Sequence, residues 1–308
     1  MRLLAAAVLA LALAAQARGA APRAVWTWEK ESYAMLEDGK AADDAIAFLK
    51  EKGIETVFLY ADAYGGRCLI VDKPKRYRKL LRRLHGEGLY AYALLGSAYL
   101  HTEEYILPEK RAAALAMLKR VLDYNASAKP DERFDGVNLD IEPHILDAWP
   151  AKKDELLLDF LDMSAALMDL KKASGQRLLV GPAIAFWLDG ITLDWRGDTR
   201  PVNEHVQTLY DYVALMDYRD HAGGGDGIVA HASDELAYGA KLGRGVMIGV
   251  ETTPNDIKKV SFNHLGEADL ERELAAADAA FAKEPAFAGF VIHHYRGYRN
   301  WLDAQRKR

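Results

Sequence analysis

Residues 134–144, Phe-Asp-Gly-Val-Asn-Leu-Asp-Ile-Glu-Pro-His, place an amide and two carboxyl groups at alternating positions. In a β-strand the apolar and polar side chains would project to opposite faces, with Val137, Leu139 and Ile141 on one and Asn138, Asp140 and Glu142 on the other. Carboxyl groups two positions apart lie about 7 Å apart along a strand, so Asp140 can raise the pKa of Glu142. General acid catalysis requires such a carboxylic acid, protonated near neutral pH. The alternative is a strand end whose acids form ion pairs with Arg or Lys.

Eight short apolar runs recur along the chain, and each has the composition of a buried strand. They begin near Ala24, Glu55, Leu89, Phe134, Arg177, Tyr212, Arg244 and Ala288. Amphipathic segments with helical spacing lie between them, at 41–52, 79–84, 112–122, 155–170, 235–242 and 270–281. Strands that alternate with helices every ~31–45 residues predict a single-domain (β/α)8 TIM barrel over residues 21–308. A doubly wound sheet is the competitor, but the chain has no G-x-G-x-x-G phosphate loop.

Polar and aromatic side chains follow these runs, at the strand ends where such a barrel carries its active site. A sugar ring has apolar C–H faces that stack on flat side chains, and hydroxyl groups that need fixed hydrogen-bonding partners. The stacking candidates are Trp28, Trp187, Tyr218 and Tyr295. The hydrogen-bonding candidates are Asp62, Arg219 and His294. Each aromatic residue taken singly is more often a packing residue, so it is their shared place at one rim that indicates a carbohydrate site.

Glu251 ends the seventh apolar run, and the alternation of that run directs its side chain toward the barrel lumen. The seventh strand of a barrel lies across from the fourth. The Glu251 carboxyl group could therefore approach Glu142 to the ~5–5.5 Å of a retaining, double-displacement glycosidase, in which it would be the nucleophile. The alternative is that Glu251 accepts hydrogen bonds from Arg219 or a histidine and shapes the pocket.

Metal and serine chemistry fit the sequence less well. Asp140, Glu142 and His144 alternate, but Pro143 should break the strand before His144. No H-x-H or H-E-x-x-H pair occurs, and no Ser lies in a G-x-S-x-G elbow. We therefore expect neither a metal nor another cofactor.

The segment 135–142, Asp-Gly-Val-Asn-Leu-Asp-Ile-Glu, resembles the D-G-x-D-x-D-x-E motif of the chitinase-like glycoside hydrolases of family eighteen. The motif lies on the fourth of the eight predicted strands. The resemblance implies that Glu142 is the general acid and that Asp140 orients the acetamido group of the substrate. It also places Asn138, the second polar residue of the motif, at the substrate site.

Met216-Asp217-Tyr218 resembles the M-x-Y of the same family, on the sixth predicted strand. The likeness implies that Tyr218 hydrogen-bonds the acetamido oxygen, with Met216 and Asp217 beside the substrate. The chain also departs from the family. Asn138 replaces the first Asp of the D-x-D-x-E part of the motif, Arg219 stands in place of an Asp, the S-x-G-G of the third strand is missing, and His-His-Tyr replaces a Trp after the last strand. These differences concern sugar recognition more than acid catalysis, so the resemblance implies a divergent member with an unassigned substrate.

Together these features predict a secreted glycoside hydrolase that cleaves a polysaccharide or cell-wall glycan with retention, using Glu142 as its general acid. A 2-acetamido group on the substrate would be the nucleophile, held by Asp140 and Tyr218. For a sugar without that group, Glu251 would be the nucleophile. The alternative is a catalytically inactive, chitinase-like lectin, an interpretation suggested by Asn138 and Arg219.

Residues 1–20 predict a signal peptide, in which Arg2 precedes an apolar run from Leu3 to Ala15 and a small-residue cleavage site. The mature protein is therefore expected to be secreted or periplasmic, monomeric and without membrane insertion. Cys68 is the only cysteine, so no intramolecular disulfide is possible. A formal net charge of −5 without a clustered basic excess argues against nucleic acid as a partner. The expected partner is an oligo- or polysaccharide substrate.

Overall fold

The computed structural model describes residues 20–307. Ten strands lie in this part of the chain: β1 Arg23–Thr27, β2 Thr56–Tyr60, β3 Tyr90–Leu95, β4 Gly136–Leu139, β5 Leu179–Ala185, β6 Thr192–Trp195, β7 Asp198–Pro201, β8 Tyr212–Met216, β9 Gly245–Glu251 and β10 Phe287–His293. All except β6 and β7 are parallel and close into a barrel in chain order, with β10 paired to β1. The predicted (β/α)8 barrel is therefore confirmed, with one strand at each predicted run. The predicted signal peptide, apart from Ala20, lies outside the described residues.

Helices surround the barrel: α1 Glu29–Glu37, α2 Gly39–Glu51, α3 Leu69–Asp72, α4 Pro74–Gly86, α5 Arg111–Ser127, α6 Trp149–Ala173, α7 Val202–Leu209, α8 Ile228–His231, α9 Ser233–Leu242, α10 Glu267–Phe281 and α11 Tyr295–Arg306. Short 3-10 helices occupy Ala98–Leu100, Thr102–Ile106, Pro108–Lys110, Pro130–Glu132, Pro143–Ile145, Phe186–Gly190, Lys258–Val260 and Phe262–His264. The six predicted helical segments correspond to α2, α4, α5, α6, α9 and α10. Within residues 20–307, none of the helices has the length and apolar character needed to cross a membrane.

Local signals in the sequence set several element boundaries. The Asp38 side chain accepts a hydrogen bond from the backbone N–H of Lys40 at 2.9 Å and so caps the start of α2. Gly53 follows α2 with a φ of +61°, a conformation common after helix ends. The hairpin of β6 and β7 was not predicted. It turns at Arg196 and Gly197, which both have positive φ.

Side chains of the barrel strands alternate between the lumen and the surrounding helices. The lumen holds Ala24, Trp26, Phe58, Leu94, Ala183, Tyr212, Ala214, Met247 and Val291. Val137, Leu139 and Ile141 instead belong to the larger core around the barrel, which confirms the alternation predicted for the fourth strand. Asn138 points the other way and is completely buried. Its Oδ1 accepts a hydrogen bond from Nε1 of Trp26 at 2.8 Å, which offsets part of the cost of burying an amide.

The chain after β3 packs closely against the chain after β4. Gly96 has a φ of +112°, and a Cβ at this position would collide with the carbonyl oxygen of Asp140. The backbone N–H of Asp140 donates to the carbonyl oxygen of Leu95 at 2.7 Å. A glycine is therefore required at position 96 for the backbone of Asp140 to reach its place.

Candidate active site

Asp140 and Glu142 follow the carboxyl end of β4 and are separated by the buried Ile141. Both acidic side chains line a cleft at the carboxyl end of the barrel. The 3-10 helix Pro143–Ile145 ends the extended segment directly after Glu142. The alternation that begins inside β4 thus continues beyond it and brings both carboxyl groups to the same cleft.

Two adjoining cavities form this cleft, and both are lined by Trp28, Asp140 and Glu142. The first, the lumen cavity, has a volume of about 160 Å³ and is also lined by Trp26, Ala183, Met216, Tyr218 and His293. The second, the side cavity, has a volume of about 270 Å³ and is also lined by Glu29, Ser97, Ala98, Thr102, Glu103 and Ile145. The acid pair lies where the two cavities meet. A chain-like ligand that filled both would pass directly beside it.

Burial controls the protonation of the acid pair. It raises the pKa of Asp140 and the pKa of Glu142, because both carboxylates lose contact with water. The charge of Asp140 raises the pKa of Glu142 further, whereas His293 opposes the increase in the pKa of Asp140. Glu142 therefore keeps its proton to a higher pH than an exposed glutamic acid does.

Within the part of the chain that the structure describes, Glu142 forms no ion pair with a Lys or Arg. Its neighbour is His144, whose Nε2 lies 3.3 Å from Oε2 of Glu142. Burial lowers the pKa of His144, so this ring is neutral near pH 7. His144 also packs edge-on against Trp149 and Trp187, with ring centroids 6.1 and 5.2 Å away. The ion-paired arrangement considered from the sequence therefore does not occur at Glu142.

Aromatic side chains form much of the wall of the lumen cavity. Trp26 and Trp28 come from the first strand and its end, and Trp28 borders the side cavity as well. Tyr218 follows β8, two positions after the cavity residue Met216. Burial and the negative charges of nearby carboxyl groups raise the pKa of Tyr218 well above its usual value, so its O–H is a permanent donor. The cavity therefore combines flat apolar surfaces with a hydroxyl donor and two acids.

Glu251 ends β9, and both of its carboxylate oxygens are occupied. Oε1 accepts the backbone N–H groups of Thr252 and Thr253, each at 2.6 Å, and Oε2 lies 2.7 Å from Nδ1 of His293. Burial raises the pKa of Glu251, but its hydrogen bonds and the charge of His293 together lower it more, and the net pKa lies below the ordinary value. Of the two arrangements that the sequence left open, the structure contains the one in which Glu251 accepts a hydrogen bond from a histidine.

Asp217 and Arg219 point away from the cleft, because they alternate with the residues of this segment that line it. Asp217 is completely buried, and its Oδ1 lies 3.0 Å from Nδ1 of His231. Arg219 donates from Nε and Nη2 to Oδ1 of Asp226, at 3.0 and 2.8 Å. The expected contacts of Asp217 and Arg219 with a substrate are therefore not supported by their positions.

His294 and Tyr295 are also outside the cleft. His294 alternates with His293 and lines a separate recess of about 400 Å³ between the chain after β9 and α11. Tyr295 begins α11, where its ring packs edge-on against Phe48 at 5.5 Å and its hydroxyl accepts a hydrogen bond from Arg299 at 2.6 Å. The last strand thus contributes a different residue to the cleft from those expected.

Three further expected residues have internal partners. Asp62 is buried and accepts a hydrogen bond from Nη2 of Arg120. Asn138 lies inside the barrel, hydrogen-bonded to Trp26, and does not line either cavity. Trp187 lies in the 3-10 helix after β5, with its ring 5.9 Å from that of Trp149. Of the three, Trp187 is the one close to the acid pair, through its contact with His144.

Trp26 and His293 also line the lumen cavity, although neither was among the residues expected to bind the substrate. Trp26 lies two positions before Trp28, and His293 lies two positions after the lumen residue Val291. Strand alternation alone therefore places both on the inner face. Within residues 20–307, no group of three or more His, Cys, Asp or Glu side chains is arranged to hold a metal ion.

No protein-family model matches this chain, and no curated protein matches its sequence. Solved structures do match its fold. A GH18 chitinase from Cycas revoluta in complex with (GlcNAc)3 is 13% identical, with 92% of this chain and 97% of the chitinase covered and a TM-score of 0.51. An exo-β-1,4-mannosidase from an Opitutaceae bacterium is 14% identical, with 89% of this chain and 52% of the mannosidase covered and a TM-score of 0.55. A β-glucuronidase from Bacteroides uniformis is 12% identical, with 83% of this chain and 28% of the glucuronidase covered and a TM-score of 0.52.

The chain thus has the TIM-barrel fold found in a chitinase and in other glycoside hydrolases, as the sequence predicted. It spans nearly the whole length of the chitinase, but 28% of the β-glucuronidase and 52% of the mannosidase. At this level of identity the likeness extends to the fold alone, because one barrel fold supports many different reactions.

Proposed function

We propose that the protein is an exported glycoside hydrolase that cleaves an oligo- or polysaccharide with retention, and that Glu142 is its general acid. The position of Glu142 carries this proposal. The side chain lies beside Asp140 at the junction of two cavities, without a Lys or Arg partner within the described residues. The fold shared with glycoside hydrolases supports the same class of protein. The apolar leader at residues 1–20 supports export, and we propose that the mature protein is a monomer.

In the proposed reaction, a sugar chain fills both cavities and its glycosidic bond lies beside Glu142. Glu142 donates its proton to the glycosidic oxygen as the bond from that oxygen to C1 breaks. The carbonyl oxygen of a 2-acetamido group, held by Asp140 and Tyr218, attacks C1 and forms a cyclic intermediate. Water then attacks C1 and gives a proton to Glu142, which restores the acid and yields the product with retained configuration.

A sugar without the acetamido group would need a nucleophile from the protein, for which the sequence offered Glu251. Both oxygens of Glu251 are held by hydrogen bonds from His293 and two backbone N–H groups, and its side chain does not line the lumen cavity. Breaking these bonds would cost free energy before any attack on the sugar. We therefore propose the substrate-assisted route, and with it a glycan that carries 2-acetamido sugars.

The test is a substitution at position 142. The purified mature protein is incubated with chitin oligosaccharides, peptidoglycan and β-glucans, and new reducing ends are measured. Glu142→Gln should lower kcat by at least about 100-fold, because the amide cannot supply the proton. The matched control Glu155→Gln removes an exposed carboxyl group on α6 and should leave kcat unchanged. Full activity of the Glu142→Gln protein would overturn the proposal, and binding of a glycan without new reducing ends in the unaltered protein would favour a lectin.

A further inference from the structure

Among the described residues that line the lumen cavity, His293 is the only basic one. Its ring is fixed from several sides. Trp26 and Trp28 pack edge-on against it with ring centroids 5.9 and 5.8 Å away, and the ring of Tyr218 lies 5.7 Å away. The hydrogen bond to Glu251 holds the ring at Nδ1. His293 therefore presents a defined edge to the cavity.

Glu251 determines which ring nitrogen of His293 carries a proton. Glu251 is a carboxylate, and a carboxylate oxygen can only accept a hydrogen bond, so Nδ1 of His293 is the donor. When this imidazole is neutral, its second nitrogen, Nε2, is an acceptor. Nε2 forms no hydrogen bond within the part of the chain that the structure describes. In that form the pair leaves one unused acceptor in a wall that is otherwise aromatic, aliphatic or acidic.

We propose that His293 is a substrate-contacting residue, whose neutral form accepts at Nε2 a hydrogen bond from a hydroxyl group of the sugar in the lumen cavity, and that Glu251 is its positioning residue. The inference rests on the proposed function, because it requires a sugar in this cavity. A ligand that covered Nε2 without offering a donor would leave a desolvated acceptor unpaired. The Glu251–His293 pair therefore selects sugars with a hydroxyl group at that position over deoxy sugars.

Two substitutions separate the roles of the two ring nitrogens. The side-chain amide of Asn reaches about as far as Nδ1 of His, and the amide of Gln reaches about as far as Nε2. His293→Asn should therefore keep a partner for Glu251 and remove the acceptor from the cavity, whereas His293→Gln should keep a polar atom in the cavity. Both are made in Glu142→Gln protein, so that (GlcNAc)3 is not consumed while its binding is measured by calorimetry.

We expect His293→Asn to weaken the binding of (GlcNAc)3 by about 5- to 10-fold, the loss typical of one hydrogen bond. His293→Gln should stay within about twofold of its parent, because a polar atom remains near the sugar. In protein with Glu142 intact, His293→Asn should raise KM with little change in kcat, since this hydrogen bond forms in the ground state and the transition state alike.

Side-chain nitrogen NMR gives a readout that a purely structural role of His293 would not change. The unaltered protein should show the Nδ1–H tautomer, with an Nε2 resonance that shifts when (GlcNAc)3 is added. Glu251→Gln should yield a mixture of tautomers, because Gln can either donate or accept. Thermal unfolding of every variant checks the fold. If His293→Asn does not fold, the shift of the Nε2 resonance of the unaltered protein on addition of (GlcNAc)3 tests the proposal on its own.

The two proposals fail in different ways. If a glycan is hydrolysed but His293→Asn binds it as tightly as its parent, or Nε2 does not respond to it, the inference is wrong and the proposed function stands. If neither (GlcNAc)3 nor any other glycan is bound or hydrolysed, the proposed function is wrong and the inference falls with it.

Discussion

Replacing Asp140 by Asn tests whether the charge of Asp140 contributes to the raised pKa of Glu142. The substitution keeps the size of the side chain and removes its negative charge. Two unit charges about 7 Å apart interact with roughly 2 kcal/mol at an effective dielectric constant of about 20. One pKa unit corresponds to about 1.4 kcal/mol, so we expect the pKa of Glu142 to fall by about 1.5. Burial, the larger cause, should keep that pKa above the ordinary value.

The assay is the pH dependence of kcat/KM. In the proposed mechanism protonated Glu142 is the active form, so activity should be lost as the pH rises through its pKa, and Asp140→Asn should move this alkaline limb to lower pH. A carbon NMR titration of the Glu142 carboxyl group measures the same pKa without turnover. Asp154→Asn, which removes an exposed charge on α6, should leave both measurements unchanged. An alkaline limb that stays in place, or moves to higher pH, would refute the reasoning.

Two predictions concern stability. Gly96→Ala should lower the free energy of unfolding in urea by about 2–4 kcal/mol, because it introduces backbone strain and a collision with Asp140. Gly86→Ala, where a Cβ meets no neighbour, should change this free energy little. Equal stability of the two variants would contradict the packing argument. Burial raises the pKa of Asp217 to about 8 and that of Glu235 to about 8. The folded protein therefore binds more protons than the unfolded chain and should lose stability from about pH 4 to about pH 8. Asp217→Asn and Glu235→Gln should each flatten this decline in Tm, and an unchanged slope would show that these groups are not protonated in the folded protein.

The barrel could be predicted because its parallel strands are buried on both faces and read as continuous apolar runs. The hairpin of β6 and β7 lacks this signal. Its residues are mostly polar or charged, and it lies outside the barrel. Its pairing depends on a turn with positive φ at Arg196 and Gly197, and a non-glycine residue in that conformation is uncommon. Apolar periodicity therefore identified the elements that form the core and missed the polar hairpin that lies outside it.

The acid pair could be predicted because strand alternation continues for three residues beyond β4. Alternation would also have placed His293 in the lumen and turned Arg219 outward. Arg219 was instead expected at the substrate because it lies at the end of a predicted barrel strand. The end of a strand places a residue at the rim, but the direction of Arg219 also depends on its bond to Asp226, which lies on a loop whose path the strand pattern does not encode. The rim of the site was therefore harder to predict than its centre.

The two cavities beside the acid pair differ in how freely their walls can change. Ala183 and Met216 of the lumen cavity belong to barrel strands, so a substitution there also disturbs the packed interior. Glu103 and Ile145 of the side cavity belong to segments between strands and helices, which tolerate exchange and insertion. We therefore expect substitutions in the side cavity to change its ligand preference at little cost in stability, whereas substitutions in the lumen cavity remain constrained by the packing of the barrel.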